Sequence, residues 1–88
     1  MKIFHRNRLV DITGFHQASA EGQKLVISYP MAPTGRIRFP DEFLFRSENS
    51  AVSALNWVSQ YCHSDRIIEF AEDEGGKFVA CPHAICDC

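Results

Sequence analysis

The sequence predicts one small α+β domain, residues 1–88, with its elements in the order β-β-β-α-β-β. Only one stretch, Ser50 to His63, repeats apolar residues at steps of three and four, the spacing typical of an amphipathic helix. The segments on both sides of it are rich in β-branched and aromatic residues, which favour strands. Because a lone helix must bury its apolar face, we expect it to pack on one face of a mostly antiparallel sheet.

Two extended segments open the chain. The first spans Lys2 to Gln17, and Gly14 within it marks a bulge or a bend. A turn over residues 20–23 leads into the second strand, Lys24 to Tyr29. Its residues alternate between two faces, so that one apolar face is available to the core.

A proline-rich loop, residues 30–35, follows the second strand. Its two prolines cannot donate ladder hydrogen bonds, so we expect a semi-rigid loop that exposes Met31. The third strand is predicted over Arg36 to Phe39. In that strand Ile37 and Phe39 face the core, and the two arginines face solvent.

The predicted helix has a clear start. Ser47 or Asn49 caps its first turn, and Glu48 lies near the positive end of the helix dipole. Residues 43–45 either resume extended structure before this cap or run directly into the helix. The apolar stripe of the helix consists of Ala51, Ala54, Leu55, Val58, Tyr61 and Cys62.

Two strands are predicted after the helix. The first covers Arg66 to Ala71, with Ile68 and Phe70 facing the core. Residues 72–76 end in Gly-Gly and form a tight turn. The last strand is Lys77 to Cys81.

Composition limits the class of protein. Of the 88 residues, 45% are hydrophobic and 23% are charged, which is typical of a folded globular domain rather than a disordered chain. No apolar run has the length of a membrane span, and the first residues do not resemble a signal peptide. We therefore expect a cytoplasmic protein with reduced thiols.

Charge is distributed unevenly along the chain. Residues 1–47 contain seven basic and four acidic residues, and residues 48–88 contain two basic and seven acidic residues. The two parts therefore carry +3 and −5 within a total of −2. Such polarity is able to steer a charged partner, although it also serves simply to keep a small domain in solution.

The tail, residues 81–88, is the sharpest chemical feature. Thiolate and imidazole are ligands that zinc prefers, and four of them close a tetrahedral structural site. The predicted ligands are Cys81, His83, Cys86 and Cys88. The alternatives are a reduced tail without metal or, in an oxidising compartment, a disulfide between Cys62 and Cys81.

The sequence does not favour an enzyme. Cys62 and His63 are neighbours, but adjacent side chains on a helix diverge and do not form a nucleophile–base pair. His5 and His16 flank Asp11 on the first extended segment, where single histidines are more often surface residues than general bases. Phosphate-binding loops, dinucleotide fingerprints and hydrolase motifs are absent from the sequence.

Charged and aromatic residues on the predicted surface are the candidates for partner binding. Arg36 and Arg38 share one strand face and are able to contact nucleic acid. Trp57 lies off the main helix stripe and is either an interface anchor or part of the core. A negative patch is predicted near the last turn, comprising Glu69, Glu72, Asp73 and Glu74.

We therefore expect a small non-enzymatic binding protein that docks on a protein or nucleoprotein complex through charged patches. The alternatives are a zinc-binding domain that uses the tail and, third, a nucleic-acid binder that uses the arginine-bearing strand. In size and composition the chain is similar to many small phage- or mobile-element-encoded proteins, including anti-CRISPR inhibitors of host defence complexes. That resemblance implies an inhibitor without an active site.

Overall fold

A computed structural model describes residues 1–83, and at His83 it describes only the main chain. The α+β class is confirmed, and within this range the strands number seven rather than five. The elements are β1 (Lys2–His5), β2 (Arg8–Asp11), β3 (Gln17–Glu21), β4 (Lys24–Ser28), β5 (Asp41–Leu44), α1 (Glu48–Tyr61), β6 (Ile67–Glu72) and β7 (Phe78–His83).

The strands divide into two sheets. The first sheet has the order β2-β1-β6-β7, and the second has the order β3-β4-β5. Every pairing is antiparallel except that of β1 with β6, which brings the start of the chain beside the strand that follows the helix. The arrangement is therefore mostly antiparallel, as predicted.

The helix α1 packs against β3 and β4 of one sheet and against β7 of the other. It begins at the predicted cap, because the Ser47 hydroxyl accepts a hydrogen bond from the Ser50 amide at 3.2 Å. Ala51, Ala54 and Val58 of the predicted stripe are fully buried. The helix thus buries a narrow apolar face between the two sheets.

The core lies between the sheets and beneath the helix. Each large apolar side chain that is withdrawn from water there stabilises the fold by about 1.5–3 kcal/mol. The largest fully buried apolar residues are Ile3, Ile12, Leu25, Ile27, Phe43, Phe45, Val58, Ile68 and Phe70.

The first extended segment proved to be a hairpin, so the prediction of one continuous strand was wrong. β1 and β2 pair antiparallel, and Arg6 and Asn7 form the turn with φ angles of 51° and 63°. Two consecutive residues at positive φ are typical of the turn whose twist suits a two-residue hairpin. Asparagine tolerates this conformation, but arginine has no preference for it, so the sequence does not indicate a turn at Arg6.

The prediction of a third strand over residues 36–39 was also wrong. Residues 36–39 are irregular, and Ile37 and Phe39 are 66% and 83% exposed instead of facing the core. The place beside β4 is taken by β5, whose Phe43 lies opposite Leu25 and is buried. Residues 43–44 are therefore extended, which settles the alternative that the sequence left open.

The last hairpin is as predicted. β6 and β7 pair from Glu72 with Phe78 to Ile67 with His83, and the turn between them contains Gly76 at a φ of 81°. Pro82 fits into β7 because this strand lies at the edge of the sheet, where a missing amide donor is tolerated. In the described part of the chain, no helix is long and apolar enough to cross a membrane.

Candidate docking loop

The segment between β4 and β5 presents large apolar side chains to solvent. This segment, residues 30–40, is called the docking loop below. Met31 is 65% exposed, and Ile37 and Phe39 are 66% and 83% exposed. Single exposed apolar residues are ordinary, but three on one short loop mark a surface that favours contact with another molecule. The predicted exposure of Met31 is confirmed.

The tip of the docking loop is closed by two main-chain hydrogen bonds. The Ala32 amide donates to the Arg36 carbonyl at 3.0 Å, and the Gly35 amide donates to the Ala32 carbonyl at 2.9 Å. Gly35 has a φ of 81°, as expected for the last residue of a three-residue hairpin loop. Met31 and Ile37 therefore lie one residue from this closure, on opposite limbs of the loop.

The base of the docking loop is held by Arg38. Its guanidinium carbon lies 3.6 Å from the centroid of the Tyr29 ring, close enough for a cation–π contact. The same side chain donates to the Asp41 carboxylate at 3.2 Å and to the Asp11 main-chain carbonyl at 2.9 Å. Arg38 thus ties the loop to the residue that follows β4, to β5 and to the end of β2.

Tyr29 and Asp41 complete this anchor. The Tyr29 hydroxyl donates to the Asp41 carboxylate at 2.6 Å. Burial raises the pKa of Tyr29 far above its ordinary value, and the hydrogen bond to Asp41 and the charge of that carboxylate raise it further. The phenol therefore stays protonated and remains a donor over the whole neutral range.

Asp11 is also fixed, although it is exposed. Its carboxylate accepts hydrogen bonds from the Thr13 hydroxyl at 2.6 Å and from the Thr13 amide at 2.9 Å. These bonds hold the pKa of Asp11 below its ordinary value. The local turn keeps in place the Asp11 carbonyl that accepts from Arg38.

The two arginines that the sequence placed on one strand face have different roles. Arg38 forms an ion pair with Asp41 and is part of the anchor. Arg36 lies near the tip and is exposed, and within residues 1–82 it forms no ion pair. Among the described residues, Arg36 is therefore the arginine of this loop that has no carboxylate partner.

Trp57 is part of the helix packing. It is half-buried, packs against the core and stacks on Tyr61 with ring centroids 5.0 Å apart and an interplanar angle of 18°. The two residues are one helical turn apart on α1. Trp57 therefore packs partly against the core, and its role in partner binding stays a prediction.

The four predicted acidic residues do not have equivalent environments. Glu72 is half-buried and accepts from the Arg46 amide and the Ser50 hydroxyl, each at 3.0 Å. Asp73 accepts from the Lys77 amide at 2.8 Å inside the turn. Glu69 is half-buried on β6, and Glu74 is exposed at the turn. Two of the four carboxylates thus organise local structure.

The predicted zinc site falls mostly outside the described residues. Cys86, Cys88 and the side chain of His83 lie outside the part of the chain that the structure describes. Cys81 is exposed on β7, and both it and Cys62 are free thiols. Among the residues that the structure describes, no group of three His, Cys, Asp or Glu side chains is positioned to hold a metal. The four-ligand site stays a prediction.

The anchor of the docking loop is a feature that the sequence pattern does not predict. Tyr29, Arg38 and Asp41 come together because β4 and β5 are neighbours that flank the loop. The indication in the sequence was an arginine three residues before an aspartate, with a tyrosine at the other end of the loop. This indication is weak because the predicted strands place Tyr29 and Arg38 on two separate elements.

No family model matches the chain, and the searches of curated proteins and of solved structures likewise gave no match.

Proposed function

We propose that this chain is a non-enzymatic binding protein that inserts the docking loop into an apolar groove on a protein or nucleoprotein complex. The observation that carries the proposal is the 83% exposure of Phe39 on a loop whose base is held by Arg38. Leaving a phenylalanine in water gains nothing for folding. Its burial in a partner releases about 1.5–3 kcal/mol.

The geometry of the loop favours binding because much of its ordering is complete before contact. A flexible loop loses conformational freedom when it binds, at roughly 0.5–1.5 kcal/mol for each immobilised side chain. The hydrogen bonds at the tip and the Arg38 anchor at the base reduce that loss for the main chain. Phe39, Ile37 and Met31 are then available as anchors of a hot spot.

The charge of the loop indicates the chemistry of the partner. Arg36 is the exposed cation beside the apolar side chains, so the complementary groove has an acidic rim. The nucleic-acid alternative drew on two outward arginines of one strand. Arg38 is instead paired with Asp41, and the segment that carries both arginines is not a strand. A protein groove therefore fits this surface better than a phosphate backbone does.

The narrower part of the proposal concerns the partner's role. Small size and uneven charge support a cytoplasmic, phage- or mobile-element-encoded inhibitor that occupies a host defence complex. This part draws on composition alone. The docking loop gives such an inhibitor a means to block a groove without catalysis.

The test compares binding by two variants in cells of the natural host. A photoreactive amino acid at position 39 should cross-link to one partner, and the same residue at position 52 should not. Val52 is the matched control because it is 48% exposed on the outer side of α1. Cross-linking at both positions, or at neither, would contradict the proposed surface.

Affinity for the identified partner then measures the contribution of the loop. Phe39→Ser combined with Ile37→Ser should weaken binding by at least about thirtyfold, the scale of a hot-spot loss. Val52→Ser should leave binding unchanged. Both variants should melt at the temperature of the parent protein because the altered side chains are exposed. Equal affinities would overturn the proposal, and capture that is abolished by nuclease would favour nucleic acid.

A further inference from the structure

A buried histidine bridges the two sheets. His5, the last residue of β1, is 7% exposed. Its Nδ1 lies 2.7 Å from the main-chain oxygen of Phe70 on β6, and its Nε2 lies 2.9 Å from the main-chain oxygen of Leu44 on β5. β6 belongs to the first sheet and β5 to the second. One ring therefore contacts both sheets through both of its nitrogens.

The chemistry of the two partners determines the proton count of the ring. A carbonyl oxygen only accepts hydrogen bonds, so each ring nitrogen must donate to satisfy its contact. A neutral imidazole carries one N–H group, whereas the imidazolium carries two. Both short contacts are satisfied together only when His5 is doubly protonated. In the neutral ring, one nitrogen lone pair would face a carbonyl lone pair in a buried position.

An aromatic ring and charged side chains of both signs surround the imidazole of His5. The Phe45 ring lies 4.7 Å from the imidazole, centroid to centroid, at an interplanar angle of 35°, and the face of an aromatic ring carries partial negative charge. Two clefts flank His5, of about 280 and 250 Å³. The charged groups that line them are Arg6, Arg8, Arg46, Glu42, Glu69 and Glu72, three of each sign.

The His5 ring supplies a hydrogen bond to a main-chain carbonyl of β5 that no neighbouring strand supplies among the described residues. β5 is an edge strand, so the carbonyls on its outer side have no neighbouring strand within the described residues. The Leu44 carbonyl accepts from His5, and the Glu42 carbonyl, two residues earlier, accepts from the Arg8 guanidinium at 3.2 Å. His5 and Arg8 lie opposite each other in the β1–β2 hairpin. This side-chain pair thus joins the second sheet to the first.

We propose that His5 is a proton-operated clasp between the two sheets. With both nitrogens protonated, the ring holds β5 against β1 and β6. Release of one proton to solvent removes one donor and sets a lone pair against a carbonyl oxygen, which weakens the junction. The junction is therefore held by two hydrogen bonds when the ring carries both protons and by one when it carries a single proton.

The first test reads the protonation of the ring directly. The protein is labelled with ¹⁵N at histidine, and the ring nitrogens are observed by long-range ¹H–¹⁵N correlation, with His5→Gln used for assignment. At about pH 7, where an ordinary histidine is mostly neutral, His5 should show two protonated nitrogens. Exposed His16, whose ring nitrogens make no hydrogen bond to the protein among the described residues, provides the reference signals in the same spectra. A single protonated nitrogen on His5 would overturn the proposal.

The second test measures stability. Between about pH 5.5 and pH 8, the unfolding constant of the parent protein should rise about tenfold more than that of His5→Gln, the scale expected for one hydrogen bond from a charged donor. His16→Gln is the matched control and should keep the pH dependence of the parent. Identical pH dependence in the parent and His5→Gln would contradict the clasp. If His5→Gln does not fold, the same comparison is made between the parent and His5→Asn, and the spectroscopic result decides.

Discussion

Replacement of Glu72 by glutamine tests how the helix start is joined to the last hairpin. Both carboxylate oxygens of Glu72 lie 3.0 Å from the Arg46 amide nitrogen, and one of them also accepts from the Ser50 hydroxyl at 3.0 Å. Ser50 is 1% exposed and lies in the first turn of α1, next to the cap at Ser47. Glu72 therefore satisfies polar groups that the helix does not satisfy by itself.

The size of the effect follows from these bonds. Glutamine keeps one acceptor oxygen and sets an amide group against the second donor, so one hydrogen bond to a charged group is lost. Such a bond contributes about 1.5–3 kcal/mol, and the lower end applies because Glu72 is only half-buried. We expect Glu72→Gln to lower the free energy of unfolding by about 1.5 kcal/mol. In a domain of this size that corresponds to a fall of about 6–12 °C in Tm.

The assay is urea unfolding followed by tryptophan fluorescence, since Trp57 lies on the same helix. Glu74→Gln is the matched control because it makes the same chemical change at an exposed position of the same hairpin. It should alter the free energy of unfolding by less than about 0.5 kcal/mol. Equal losses in the two variants would show that net charge, rather than the contacts of Glu72, sets the stability.

Three further outcomes follow from other contacts. The pKa of Tyr29 is raised in the folded state, so its contribution to the free energy of unfolding is fully present below the ordinary tyrosine pKa and should fall as the pH rises above that value. Phenolate absorbance of the folded protein should show one tyrosine that titrates late. Tyr29→Phe should remove that step. Arg6→Gly should raise the free energy of unfolding by about 0.5–1 kcal/mol, measured by urea, because glycine adopts the positive φ of this turn without strain. Phe70→Ala should lower it by about 3–5 kcal/mol through the cavity left in the core.

The helix and its cap could be predicted because local rules decide them. An apolar stripe at helical spacing and a serine before it need no knowledge of the rest of the chain. The same holds for the last hairpin, where Gly76 adopts the positive φ of the turn without steric cost. In each case one type of residue determines the local backbone, and tertiary contacts agree with it.

The first hairpin and the position of residues 36–39 could not be predicted for the opposite reason. Arg6 carries no preference for a positive φ, so only the pairing of β1 with β2 reveals the turn. The alternation of Arg36 to Phe39 is that of a strand, but β4 has room for one partner on that side, and β5 fills it. Competition between two segments for one edge is decided by packing, which periodicity does not report.

The candidate site was predicted in part. Exposure of Met31 follows from the prolines around it, and Arg36 was correctly expected to face solvent. The role of Arg38 could not be predicted, because its three contacts come from the residue after β4, from β5 and from the end of β2. A side chain that joins three elements has no local pattern and becomes recognisable only when those elements are placed.

The anchor and the clasp together explain how a loop with an exposed phenylalanine is kept in one position. Asp41, the first residue of β5, is hydrogen-bonded by Tyr29 and Arg38 at the base of the docking loop. The last residue of the same strand, Leu44, accepts from His5. β5 is thus fixed at one end to the loop and at the other to the opposite sheet. Because the strand between these ends pairs only with β4 in the described residues, its position depends on both attachments. The loop therefore draws its order from the junction between the sheets, in addition to its own turn.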